Sequence, residues 1–238
     1  MNTISIKKTS PKMIAHRGLS GIEPENTAAA FIAAGNRSYF GIESDVHKTR
    51  DGRFVIIHDD NTLRTSGTDM IIESSDYAAL KDITLFGTDR LPHPELKIPL
   101  LEDYIAICAR YDKTAVLELK NHFDKDDVKQ IVGIINELRH LEKTIFISFD
   151  WENLSFVRNF AQNQAVQFLA GSCDERLLEE LISNRFGLDI EHQALTRYIV
   201  ETLHSNGLEV NCWTVNDKDI GERLAAYGVD YITTNILE

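Results

Sequence analysis

The sequence has few cations, few cysteines and no long apolar run. Lys and Arg number 25 against 37 Asp and Glu, a formal net charge of −12. That excludes a broad nucleic-acid surface, which needs basic side chains to displace counterions. It leaves room for an anionic ligand, because a local cluster of cations or a metal inverts the field inside one cleft. The three cysteines, Cys108, Cys173 and Cys212, are far apart and form no CxxC. An odd, scattered set excludes a disulfide framework and reads as reduced thiols in the cytoplasm. No stretch approaches the ~18 consecutive apolar residues of a membrane span, and stable membrane association is not expected. The opening "MNTISIKKTSPKM" has no apolar signal core, and repeats, low-complexity tracts and long linkers are absent.

What is present is an alternation. The 238 residues, 43% hydrophobic, are enough for one barrel-sized domain over 1–238. Nine β-rich runs stand out: "MIAHRG", "GIESDV", "FVIIHD", "AVLELK", "TIFISF", "VQFLAG", "GLDIEH", "VNCWTV" and "YITTN". Helical patterns fall near 27–34, 101–112, 126–140, 152–162, 175–184, 195–206 and 218–227. In the first, Asn26 is placed to cap the helix and Gly35 to end it. Strands spaced by helices mean βα units and a parallel sheet, either a barrel or a doubly wound sheet.

Nine strands are one more than an eight-stranded barrel uses. The surplus lies in "GIESDVHKTRDGRFVIIHDD", where no helix fits between Asp45 and Phe54. Asp51-Gly52 is a hairpin turn signal. With those two residues as the turn, Asp45 pairs directly with His58; a one-residue bulge would break that parity. The expectation is therefore an α/β fold, a TIM-type (β/α)8 barrel with a hairpin excursion. Residues 60–97, with no strong pattern, form a short inserted segment.

Polar residues gather at strand ends. His16 and Arg17 end the first run. Glu43 and Asp45, two apart, share a face of the second. His58 and Asp59 end the third, and Glu118 and Lys120 share a face of the fourth. Charges beside Val, Ile and Leu need partners, and the carboxyl ends of barrel strands form the mouth where chemistry occurs. Three carboxylates without a cysteine suit one hard divalent cation, Mg²⁺ or Ca²⁺. Two histidines can share general base and general acid roles. Arg17 and Lys120 suit an anion. The set describes phosphodiester cleavage. Trp213 reads either as a core aromatic or as an apolar wall for substrate. His47, His122 and His192 are expected at solvated strand or loop ends, and His93, His140 and His204 on the surface or on helices. Asp150 and Asn216 lie near the mouth without an assigned role.

In order along the chain, "HRG…PENT…AF" (16–31), "IESDVHKTRDGRFVIIHD" (42–59), "IPLLEDYI" (98–105), "LELK" (117–120), "SFD" (148–150), "WTVND" (213–217) and "GVDYITT" (228–234) resemble the glycerophosphodiester phosphodiesterase family. The resemblance spans about residues 13–236. It implies a TIM-type barrel, a divalent metal and hydrolysis of small water-soluble glycerophosphodiesters to glycerol 3-phosphate and an alcohol. By position it implies Glu43, Asp45 and Glu118 as metal ligands, His16 and His58 as the acid–base pair, and Arg17 and Lys120 as phosphate contacts. It also implies that 60–97 corresponds to an insert covering the site. Two positions depart from the family pattern: no Asp precedes the Arg in "TLRTSG", and "TTNI" follows the last strand where the family often has Asp or Pro. A related-fold phospholipase acting on intact lipids, and a barrel that only binds a phosphodiester or metal, are the alternatives. Oligomeric state is not legible.

Overall fold

A computed structural model of the chain describes residues 2–7 and 11–238. Among the described residues nine strands and nine α-helices follow one another. The strands are β1 (Lys12–Ala15), β2 (Gly41–Lys48), β3 (Phe54–Ile56), β4 (Thr114–Leu119), β5 (Thr144–Ser148), β6 (Ala165–Ala170), β7 (Gly187–Glu191), β8 (Val210–Trp213) and β9 (Tyr231–Thr234). The helices are α1 (Ala28–Gly35), α2 (Leu63–Ser66), α3 (Tyr77–Leu80), α4 (Leu101–Arg110), α5 (Lys125–Glu137), α6 (Trp151–Phe160), α7 (Glu175–Asn184), α8 (Arg197–Ser205) and α9 (Lys218–Tyr227). Eight strands pair in parallel and close through β1, which lies between β9 and β2. This is a TIM barrel. β3 is antiparallel to β2 and stands outside the ring.

Alternation of side chains divides the core in two. Met13, Ala15, Ile42, Val46, Ala115, Leu117 and Leu119 pack outward with the helices. The intervening Ile14, Val116, Ile145, Ile147, Leu169 and Tyr231 fill the barrel interior. By the same parity Glu43, Asp45 and Glu118 point inward. In the β2–β4 register Asp45 is the direct partner of Glu118. The first expected helix forms where the pattern placed it, but Asn26 does not cap it. The N-cap is Thr27, whose hydroxyl accepts from the Ala30 N–H, while Asn26 turns into the site. Gly35 is the last residue of α1, and a Cβ there would lie 2.5 Å from Tyr111 Cγ.

The hairpin register differs from the expected one by a residue. His47 pairs with Val55 and Lys48 with Phe54, and the Thr49 N–H donates to the Arg53 carbonyl at 2.8 Å. The turn is thus the three-residue loop Arg50-Asp51-Gly52, ended by Gly52 at φ +79°. That is the three-residue hairpin whose last residue needs a left-handed conformation. Asp45 consequently faces Ile57, whose N–H donates to the Asp45 carbonyl at 3.1 Å, and not His58. β3 ends at Ile56, so pleat parity no longer governs His58, which still turns into the mouth.

Residues 60–97 follow β3 as two single-turn helices, α2 and α3, a 3₁₀ turn at Ile72–Ser74 and short bridges. Ile72, Leu80, Ile83 and Leu85 make a separate apolar cluster with Val55, Ile57 and Ile98. Two histidines depart from expectation. His47 is fully buried, and so is His140, whose Nε2 bonds the Lys113 carbonyl at 3.0 Å. Short strand-end and helix-end patterns do not reveal the burial of either ring.

Candidate active site

Strand β1 delivers His16 and Arg17 to the carboxyl end of the barrel. The His16 N–H donates to the Thr234 carbonyl at 2.8 Å, which extends the β1–β9 ladder by one residue. The backbone then reverses: Arg17 has φ +54° and Gly18 φ +76°. A Cβ on Gly18 would sit 2.7 Å from Ala30, so only glycine fits. This turn aims the Arg17 N–H at Glu43 Oε2, 2.8 Å away. The Arg17 guanidinium reaches Glu25 Oε1 at 2.9 Å and lies 3.6 Å from Asp45 Oδ2.

Glu43, Asp45 and Glu118 present carboxylate oxygens within 4.8 Å of one another, all three buried. Asp45 accepts from Asn26 Nδ2 at 2.7 Å, and Ser44 Oγ donates to Asn26 Oδ1 at 2.8 Å. Lys120 Nζ lies 2.9 Å from Glu118 Oε1 and 3.7 Å from Asp45 Oδ1. Burial, with Asp45 and Glu118 beside it, pushes Glu43 well above the ordinary carboxylate range. Burial and Asp45 push Glu118 up to about 8. Burial works against ionised Asp45 too, but Arg17 and Lys120 hold it below the usual range. Three buried carboxylates with only these two cations beside them cannot all ionise comfortably, and a divalent cation relieves that strain. An all-oxygen donor set fits a hard divalent cation.

The two imidazoles flank this cluster. His16 Nδ1 lies 2.7 Å from Asn235 Oδ1, an oxygen also held by Ser20 Oγ at 3.0 Å. An amide oxygen only accepts, so Nδ1 carries the proton and Nε2 keeps its lone pair. Nε2 lies 4.0 Å from Glu43 Oε2. Burial, then Arg17, lowers the ring's pKa to about 4. His58 Nδ1 lies 2.7 Å from Asp59 Oδ1. Arg64, on α2 of the insert, joins the supports of both sides. It makes two bonds of 2.8 Å to Glu25 and bonds of 2.7 and 3.0 Å to Asp59.

All eight residues singled out from the sequence meet here. A cavity of ≈ 110 Å³ is lined by His16, Arg17, Glu43, His58, Glu118, Lys120 and Trp213, among others. Asp45 lies behind them. Trp213 stands edge-on to Phe149, with ring centroids 5.9 Å apart. Among the described residues, none of 60–97 lines this cavity; the insert flanks the mouth and acts on it through Arg64. Asp150 caps α6 and bonds His122, and Asn216 accepts from the Asn235 N–H at 2.8 Å. Sequence reasoning missed Glu25, Asn26, Asn235, Arg64, Phe149 and Asp189. "PENT", "TLRTSG", "TTNI" and "SFD" carried signals for the first five; nothing marked Asp189.

Fold and site together define a TIM-barrel enzyme with an acidic, cation-flanked mouth. The sequence model of the glycerophosphoryl diester phosphodiesterase family matches residues 16–238, and the chain belongs to that family. A glycerophosphodiester phosphodiesterase of Caldanaerobacter subterraneus is 29% identical over 230 residues, covering 94% of this chain and 93% of that one. An Oleispira antarctica phosphodiesterase, solved in complex with the product sn-glycerol-3-phosphate, superposes with a TM-score of 0.86. It is 27% identical, over 95% of this chain and 93% of that one. A glycerophosphodiester phosphodiesterase from Parabacteroides distasonis gives 0.80 at 27% identity, over 99% and 94%.

Proposed function

We propose that this enzyme hydrolyses small water-soluble glycerophosphodiesters to glycerol 3-phosphate and an alcohol, by acid–base catalysis between His16 and His58 with one divalent cation, Mg²⁺ or Ca²⁺. The observation that carries the reading is the convergence of three buried carboxylates, two cations and two imidazoles on one cavity. The Oleispira relative's complex with sn-glycerol-3-phosphate supports the choice of glycerol.

Glu43, Asp45 and Glu118 would hold the cation. When bound, it would neutralise phosphoryl charge and polarise the phosphorus–oxygen bond. Arg17 and Lys120 grip the non-bridging oxygens, as fixed charges in a partly dry cleft. His16, its Nδ1–H committed to Asn235, takes the proton of the attacking oxygen on Nε2. His58, held by Asp59, protonates the departing alkoxide so that it leaves as a neutral alcohol. The attacking oxygen is either the glycerol 2-hydroxyl, giving a cyclic phosphate that water opens, or water directly. The Phe149–Trp213 pair forms an apolar wall beside the reacting group.

Among the described residues no helix is long and apolar enough to cross a membrane. The free thiols of Cys108, Cys173 and Cys212 favour a reducing compartment, the cytoplasm. The test is purified enzyme with glycerophosphocholine, glycerophosphoethanolamine and phosphatidylcholine vesicles, each with added cation or EDTA. Glycerol 3-phosphate release is measured and ³¹P NMR watches for a cyclic intermediate. Expected is turnover of the deacylated diesters that stops with EDTA, and little from vesicles. Faster cleavage of vesicular lipid at equal concentration would turn the assignment to a phospholipase.

A further inference from the structure

The interior of the barrel below the carboxylate cluster is two-sided. On β1, β4 and β5 it is apolar, with Ile14, Val116, Ile145 and Ile147. On β6 to β9, beside Leu169 and Tyr231, it carries four buried polar side chains: Gln167, Asp189, Asn211 and Thr233. Asn211 and Thr233 satisfy each other, Nδ2 to Oγ1 at 3.0 Å, and Asn211 Oδ1 also accepts the Cys212 N–H at 2.8 Å. Asp189, register partner of Leu169 and Asn211, is different. It is 1% exposed, and its Oδ1 has no hydrogen-bond partner. Polar atoms that far from water are ordinarily satisfied, so an orphaned one needs an explanation. Gln167 is orphaned too, but only Asp189 borders the cavity, together with His16, Glu43, Glu118, Lys120 and Trp213.

The neighbours narrow the ligand. Trp213 Nε1 donates to the Asp189 carbonyl at 3.2 Å, so one backbone position fixes both the aromatic wall and the carboxyl. The cations that suit phosphate, Arg17 and Lys120, follow the ends of β1 and β4. Asp189 stands on β7 with no cation paired to it, a poor seat for an anion and a good one for a hydroxyl. A carboxyl group accepts from a hydroxyl when ionised and both donates and accepts when protonated. Arg17, Lys120 and Asp189 line one cavity, so a phosphodiester gripped by the two cations has a hydroxyl acceptor within the same cavity.

We infer that Asp189 binds the terminal hydroxyl of the substrate's glycerol arm and makes the enzyme specific for glycerol. The inference rests on the proposed function and deepens it. The orphaned oxygen then has its partner in the bound state, and an analogue without that hydroxyl leaves it buried and unpaired. Sites that hydrogen-bond a substrate hydroxyl discriminate strongly against analogues lacking it, by more than an apolar pocket can.

The test compares glycerophosphocholine with 2-hydroxypropyl phosphocholine, the same diester with methyl in place of the terminal hydroxymethyl. It keeps the hydroxyl next to the phosphoester. Wild type is expected to favour the glycerol diester by about 10²-fold or more in kcat/KM. Asp189→Leu should lose about that factor on glycerophosphocholine, hardly change on the analogue, and bring the ratio near one. Asp189→Asn, which still hydrogen-bonds, should retain part of the preference. Equal use of both diesters by wild type overturns the inference whether or not a variant folds. So does a folded Asp189→Leu with an unchanged ratio, or one that loses Mg²⁺ affinity as an Asp45 variant would. No turnover of either diester by cation-loaded wild type would instead overturn the parent reading, and the inference with it.

Discussion

At the scale of the residue, His16 is defined by what its two nitrogens meet. Nδ1 is committed to Asn235, and Nε2 faces the carboxylate cluster. General acid–base help is typically worth about 10² to 10⁴-fold. His16→Ala and His58→Ala should each lower kcat by at least about 10²-fold, and the double variant should lose far less than the product of the two, because in the proposed mechanism both serve one proton-transfer cycle. His204→Ala, exposed and bonded to Asp230, should stay near wild type. Stopped-assay kcat with circular dichroism as the folding check decides this; a folded His16→Ala that kept most of its activity would make "HRG" a structural strand end. Asp45, pinned by Asn26 and bracketed by Arg17 and Lys120, is the central carboxylate. Asp45→Asn should leave the fold intact and weaken Mg²⁺ binding about tenfold or more by isothermal titration. An unchanged affinity would remove Asp45 from the cation site. The spacing rules brought all eight site residues together from sequence, because period-two faces and strand ends are local properties. Asn235, Glu25 and Asp189 escaped for the opposite reason: each matters through a partner distant in sequence.

At the scale of the element, the insert's contribution comes through α2. Arg64 spans Glu25 and Asp59, and through them it steadies the Arg17 guanidinium and the His58 ring. Its hydrogen bond, against some burial, holds the Asp59 carboxyl near 2. Small misplacements of reacting groups can cost up to about 10² in rate. Arg64→Ala should therefore lower kcat by roughly ten- to a hundredfold, and Arg64→Lys should restore little, since an ammonium cannot span two carboxylates in two-point fashion. Steady-state kinetics with thermal melts read this out. Unchanged kcat alongside a lowered melting temperature would leave Arg64 a stabilising pair only. Strands, helices and the barrel closure were legible in the alternation of patterns. The hairpin register was not, because Asp51-Gly52 serves equally in a two-residue turn and at the end of a three-residue loop. A single residue there moves Asp45 from His58 to Ile57.

At the scale of the whole molecule, stability depends on pH through buried rings, and burial lowers the pKa of His16, His47 and His140 alike. His140 packs beneath the amino end of β4, and burial lowers its pKa. In the unfolded chain the ring binds a proton near pH 6.5. A depressed folded value means its contribution is present above that pH and is lost as pH falls below it. Urea midpoints should thus drop between pH 7 and 5, and His140→Gln should drop less steeply while keeping its kcat at pH 7. Parallel slopes would deny His140 the role. β9 enters between β8 and β1, and Asn235, just beyond it, orients His16 from 219 positions away. A chain that ended before β9 would leave the ring unclosed and His16 Nδ1 without Asn235, the proposed base unaligned. On the proposed mechanism, a product of interrupted translation is expected to be silent rather than partly active.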